Sequence, residues 1–112
     1  MSLGKRRVAI LGASGYGGSE LLRLLLFHPS VEVHRITSRQ HAGYPVAKVH
    51  PQLLKVSDLV FEDTDAAQAA EGVDLVFSAL PHGASQDAIT RLPANTPVID
   101  LSGDFRLKDV KT

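Results

Sequence analysis

Gly12-Ala13-Ser14-Gly15-Tyr16-Gly17-Gly18 places glycines three apart, at Gly12, Gly15 and Gly18. A phosphate needs backbone N–H groups that converge on it and no Cβ in the way, and glycine allows both the turn and the close approach. If the turn opens a helix, the helix N-terminus adds about half a positive charge. The chemistry this pattern offers is the holding of a pyrophosphate. Any tight strand-to-helix turn also uses glycine, so the context carries the reading: a strand before it and a helix after it, at the first such turn of the chain. Two roles stand open for Ser14, donating its hydroxyl to a phosphate or capping the helix that follows.

The next chemical signal is Thr37-Ser38-Arg39. Domains that take NAD place an acid at the end of the second strand, about 20 residues past the glycines, to hold the ribose diol. No acid stands there, and Glu32 falls at the wrong end of the segment. A carboxylate would repel a 2′-phosphate, whereas Ser38 and Arg39 would bind one, arginine with a planar fork suited to phosphate oxygens. The reading is NADP rather than NAD, against a plainer one in which Arg39 is a solvated loop cation.

Ser78-Ala79-Leu80-Pro81-His82-Gly83 ends a second apolar run, where small residues would let a flat cofactor pass. His82 is either a general acid or base or, as the stronger reading, a residue that shapes the turn or touches the cofactor. Further on, Asp100, Asp104 and Arg106 form either an ion-pair cluster at a cleft or structural pairs. The other histidines (His28, His34, His41, His50) lack metal-ligand spacing. No cysteine is present, which removes disulfides, thiolate metal sites and thiol nucleophiles from this chain.

These residues need a frame, and hydrophobic periodicity supplies one. Residues 7–11 and 31–37 read as strands, with a helix over 15–28 between them that Pro29 stops. Residues 38–57 read as a long loop or one short helix. Asp-Leu-Val-Phe occurs twice, at 58–61 and 74–77, and both copies read as buried strands around an Ala-rich helix within 62–73. A helix over 84–92 and a strand over 97–101 follow. Strands alternating with helices imply an α/β, Rossmann-like, doubly wound parallel sheet.

At 112 residues, with 44% apolar and 21% charged side chains, the chain is one domain with a real core rather than a disordered segment. Twelve basic residues balance twelve acidic ones, which argues against a nucleic-acid or anionic-membrane partner. No run is long enough to span a membrane or serve as a signal peptide, so a cytoplasmic location is expected. Met1–Gly4 reads as partly an expression remnant. The chain reads as the N-terminal piece of a longer enzyme, because such a domain usually has a sixth strand.

The ordered set of Gly12-Ala-Ser-Gly-Tyr-Gly-Gly-Ser-Glu-Leu-Leu-Arg, Thr37-Ser-Arg, Ala79-Leu-Pro-His-Gly and Asp100-Leu-Ser-Gly-Asp-Phe-Arg-Leu resembles the N-acetyl-γ-glutamyl-phosphate reductases of arginine biosynthesis, a branch of the semialdehyde dehydrogenases. The resemblance runs from about Arg7 to Asp109. It departs from the family at Gly17, where threonine is usual, and at Gly103, where alanine is usual. It implies an N-terminal NADP-binding Rossmann domain, here residues 1–112, followed by a catalytic domain that this chain lacks. In that chemistry a cysteine thiolate attacks an acyl phosphate to give a thioester, and NADPH delivers hydride to release a semialdehyde. The resemblance also implies that Gly12, Ser14, Gly15, Tyr16, Gly17 and Gly18 hold the pyrophosphate, Ser38 and Arg39 the 2′-phosphate, and Leu80 and Pro81 lie along the cofactor. The catalytic cysteine and histidine of the family lie downstream, so the chain alone is expected to bind NADP(H) and turn nothing over. The full enzyme would take a small-molecule acyl phosphate and form a homo-oligomer. Two rivals remain: a lysine-pathway reductase acting on a carrier-protein-linked acyl phosphate, and a non-catalytic NADP-sensing domain.

Overall fold

A computed structural model describes residues 5–54 and 56–101, with Tyr16 and His82 described by their backbone. Among the described residues five strands, β1 (Arg6–Leu11), β2 (Val31–Thr37), β3 (Phe61–Glu62), β4 (Leu75–Ser78) and β5 (Val98–Asp100), form one sheet in the order β3-β2-β1-β4-β5. Every neighbouring pair is parallel. The expected doubly wound sheet is therefore present.

The central position of β1 explains its composition. Val8, Ala9, Ile10 and Leu11 are all buried, because a central parallel strand is covered on both faces. Alternation then divides these residues between two cores. Val8 and Ile10 join Leu22 and Leu25 of α1 (Tyr16–Leu26), together with Val46, Leu53 and Phe61. Leu11 joins Val76 and Ala66, Ala69 and Ala70, with Leu80, Ala88 and Leu92 packed against them. The first cluster thus places α1 and α2 (Val46–Val49) on one face, and the second places α3 (Ala66–Ala69) and α4 (His82–Thr90) on the other. Each buried Leu or Phe contributes about 1.5–3 kcal/mol.

The boundaries differ from expectation in instructive ways. Residues 58–61 do not form a full strand; β3 is two residues long and begins at Phe61. The backbone of 59–61 is partly engaged elsewhere. Val46 N–H donates to Leu59 O at 2.8 Å, Phe61 N–H to Tyr44 O at 3.0 Å, and Pro45 forms an isolated antiparallel bridge with Val60. The loop of 38–57 holds two short pieces, α2 and a single 3-10 turn at Pro51–Leu53. The Ala-rich helix α3 has only four residues, started by a capping box between Asp65 and Gln68. Gly72, at φ +77°, bends the chain toward β4. Helix α4 begins two residues earlier than expected, with Pro81 as its N-cap, and α1 ends at Leu26, two residues short. Asp104, Arg106 and the rest of 102–112 lie outside the described residues.

This topology fixes where a site can form. From β1 the chain winds outward through β2 to β3, then returns to β4 and winds the opposite way to β5. Beyond the carboxyl ends of β1 and β4 the connections diverge, and open α/β sheets bind ligands in that crevice.

Candidate functional site

The three glycines after β1 serve three different physical needs. Gly12 has φ +75°, a conformation that strains any side chain, and a Cβ there would lie 2.7 Å from Leu80 Cδ2. Gly18 lies inside α1, where a Cβ would stand 2.5 Å from the backbone oxygen of Ala13. That glycine lets the helix seat directly on the turn. At Gly15 a Cβ would meet nothing within 4 Å. Backbone strain and protein packing do not require glycine at this position, which leaves its backbone open to close approach from the cleft.

Gly15 is also the N-cap of α1, with no side-chain cap and no acid in the first turn. Ser14 is therefore not the cap, which removes one of its two expected roles. The eleven-residue helix presents an uncompensated positive end, the arrangement that favours an anion. The turn is held from β2: Thr37 Oγ1 accepts from Gly12 N–H at 3.1 Å, and Thr37 O accepts from Ala13 N–H at 2.8 Å.

At the end of β2, Ser38 is 4% exposed. Its Oγ accepts from His41 N–H at 3.1 Å and donates to Ser14 Oγ at 2.9 Å. Arg39 is exposed beside it and has no ion-pair partner among the described residues. Glu32 is far off, paired in register with Arg7 near the other end of β1. Acids do reach the area from β3 and the segment after it, which the linear sequence did not reveal. Of these, Glu62 pairs with Arg35 at 3.2 Å and Asp65 caps α3, leaving Asp63 beside the Arg39 loop.

At the end of β4, Ala79 N–H donates to Leu11 O at 2.9 Å, and Leu80 leans over Gly12. Beneath this turn Ser85 Oγ donates to Asp100 Oδ1 at 2.8 Å. A carboxylate only accepts, so the 2.7 Å contact between Ser78 and Ser85 has Ser78 as donor. This buried chain of hydroxyls ties β4, α4 and β5 together and gives Asp100 a structural partner.

These loops enclose a cleft of roughly 850 Å³. Gly12, Ser14, Gly15, Ser38, Arg39, Leu80 and Pro81 all line it. Gly17 and Gly18 do not, since they sit in the first turn of α1 behind the lining. Tyr16 and His82 open α1 and α4, the two helices whose N-termini flank the cleft. Thr64 is a lining residue that sequence reasoning missed, and nothing in its neighbourhood of acids singled it out. No helix among the described residues is long and apolar enough to cross a membrane.

Residues 7–111 match the family model described as semialdehyde dehydrogenase, NAD binding domain. The chain is 50% identical over 106 residues to the N-acetyl-gamma-glutamyl-phosphate reductase of Methanocella arvoryzae, covering 94% of this chain and 32% of that protein. It is 55% identical over 103 residues to a putative [LysW]-L-2-aminoadipate 6-phosphate reductase of Thermomicrobium roseum, covering 91% of this chain and 28% of that one. In fold it matches the crystal structure of aspartate semialdehyde dehydrogenase with NADP from Candida albicans, with a TM-score of 0.75 at 23% identity, covering 93% of this chain and 31% of that one. The chain thus spans about a third of the length of these relatives.

Proposed function

This chain belongs to the family of semialdehyde dehydrogenase NAD-binding domains, and from that premise we propose that it is the NADP(H)-holding part of a reductase that converts an acyl phosphate to an aldehyde. The observation that carries the reading is Gly15: a glycine without strain or packing need, at the uncapped start of α1, in the crevice where the sheet changes direction. In this reading Gly12, Ser14 and Gly15 face the pyrophosphate. Gly17 and Gly18 shape the helix start that Tyr16 opens, and Leu80 and Pro81 bound the cleft along the cofactor.

The 2′-phosphate would fall to Arg39, the exposed guanidinium without an ion-pair partner among the described residues. Its charge and fork geometry favour NADP over NAD. Bound there, the dinucleotide supplies hydride. The residues of this chain bind and orient it. With no cysteine among the 112 residues, a thiol nucleophile must come from outside them. The whole protein would then work in the cytoplasm on N-acetyl-γ-glutamyl phosphate, giving N-acetylglutamate 5-semialdehyde and phosphate.

A second reading is favoured by the 55% identity to the Thermomicrobium roseum protein: an acyl phosphate presented on a carrier protein. Two measurements decide. Calorimetric titration of the chain should show NADPH binding at least about tenfold tighter than NADH, the effect of one charged hydrogen-bonded contact. Equal affinities would remove the NADP assignment. Phosphate-dependent reduction of NADP by the full-length enzyme should proceed with free N-acetylglutamate 5-semialdehyde; activity confined to the carrier-linked aldehyde would establish the second reading.

A further inference from the structure

We infer that His50 is a positioning residue for the dinucleotide turn, acting through the Ala13 carbonyl from the side opposite the ligand. The inference rests on the dinucleotide reading above.

His50 lies between α2 and the 3-10 turn, 37 residues from Ala13. It is 6% exposed, and its Nε2 lies 2.9 Å from Ala13 O. A carbonyl oxygen only accepts, so Nε2 carries the proton and donates. The imidazole ring also meets Phe61 edge-on, with centroids 6.1 Å apart. Two residues further on, Gln52 Nε2 donates to Ser19 Oγ of α1 at 2.7 Å. One short segment therefore grips both the glycine turn and the helix that follows it.

The consequence comes from peptide geometry. A trans peptide is planar, and its C=O and N–H point in opposite directions. The unit that carries Ala13 O also carries Ser14 N–H. With the oxygen held on the buried side by His50, the Ser14 N–H is turned toward the cleft that Ser14 lines. The preceding unit is fixed from β2, where Thr37 O accepts from Ala13 N–H. Gly18 closes against the same Ala13 carbonyl and leaves it little room. The turn is thus set for an anion before any anion arrives. Preorganisation of this kind raises affinity by removing an ordering cost from the binding step.

A plainer role is available, that of filling space beside Phe61. Two substitutions separate the roles. His50→Phe keeps an aromatic ring and loses the donor, while His50→Gln loses the ring and keeps an N–H at comparable reach. As a positioning residue, His50 requires that His50→Phe weaken NADPH and NADH by the same factor, about tenfold for a lost buried hydrogen bond. His50→Gln should then restore most of that loss. Mere space-filling gives the reverse ranking, with His50→Phe binding like wild type, and overturns the inference. If both variants bind like a wild-type chain that does bind, the inference falls and the dinucleotide reading stands. A wild-type chain that binds neither dinucleotide overturns both. Nitrogen-15 shifts of the wild-type imidazole give a test that needs no variant to fold: the proton on Nε2 supports the proposal, and a proton on Nδ1 alone overturns it.

Discussion

The hydroxyl of Ser38 donates to the hydroxyl of Ser14 across 2.9 Å, joining the end of β2 to the glycine turn after β1. Ser38 has one proton, and Ser14 receives it. The proton of Ser14 is then directed elsewhere, and Ser14 lines the cleft. Ser38 thus serves the turn from below, while Arg39 stands exposed next to it. Ser38→Ala should weaken NADPH and NADH alike, by about 0.5–1.5 kcal/mol, the worth of a neutral hydrogen bond. Ser14→Ala should do the same, and the double variant should lose less than the sum, because the two hydroxyls act as a unit. Titration of both dinucleotides into the three variants measures this. A loss confined to NADPH in Ser38→Ala would show the hydroxyl touching the 2′-phosphate directly.

Arg39 should behave in the opposite manner. Its charge is uncompensated among the described ion pairs, and only NADPH carries the phosphate it would meet. Arg39→Ala should cost NADPH about 1.5–3 kcal/mol, the scale of a charged hydrogen bond, and leave NADH unchanged. The NADPH preference should also fall as salt rises in the wild type, since exposed charges are screened, and should become insensitive to salt in the variant. Affinities measured at two ionic strengths check both points. Unchanged NADPH affinity would return Arg39 to the role of a solvated cation.

Much of this architecture is readable from residue order, and the exceptions share a cause. β1, α1 and β2 declare themselves because their apolar periods match their burial, as in Val8 to Leu11 and in Leu22 and Leu25. The repeated Asp-Leu-Val-Phe misleads, because its first copy supplies only Phe61 of the two-residue β3 while its second supplies most of β4. The difference lies in a partner that periodicity cannot display: Leu59 and Val60 meet Pro45 and Val46 of the preceding loop. The glycine turn and Arg39 are also legible, being local in sequence. The bond from Ser38 to Ser14 and the one from His50 to Ala13 span 24 and 37 residues, and they exist only once the sheet has assembled.

The hydroxyl chain beneath α4 gives a prediction about stability. Ser78 and Ser85 are fully buried, and their protons run one way, from Ser78 to Ser85 to Asp100. Ser85→Ala removes the middle link. It leaves the Ser78 hydroxyl without its acceptor and Asp100 without that donor. The cost should be about 1–3 kcal/mol, the penalty for an unsatisfied buried polar group. Ser78→Ala removes only the first donor, and Ser85 keeps its bond to Asp100, so its cost should be smaller. Urea midpoints for the two variants at constant slope test the order. A larger loss for Ser78→Ala would mean that the protons run the other way or that the chain has a further partner.

The glycines give the sharpest separation between what the fold needs and what a ligand needs. At Gly18 an added methyl would meet the Ala13 backbone at 2.5 Å, and backbone cannot swing aside as a flexible side chain can. Gly18→Ala should therefore destabilise the chain by about 1–3 kcal/mol or more, the range for forced overpacking, and should weaken dinucleotide binding as the turn is displaced. At Gly15 the same methyl meets no protein atom within 4 Å, and the backbone, with φ −85°, is acceptable to alanine. Gly15→Ala should change the thermal midpoint little, since alanine narrows the unfolded ensemble but is a poorer N-cap than glycine, and the two effects oppose each other. Its dinucleotide affinity should nevertheless drop at least tenfold, about 1.4 kcal/mol, because the methyl would occupy the path by which a phosphate reaches the backbone. Differential scanning calorimetry with and without NADPH measures both quantities in one sample. The ligand-induced rise in midpoint should be reduced in Gly15→Ala while the ligand-free midpoint holds. A full rise in that variant would move the pyrophosphate away from Gly15.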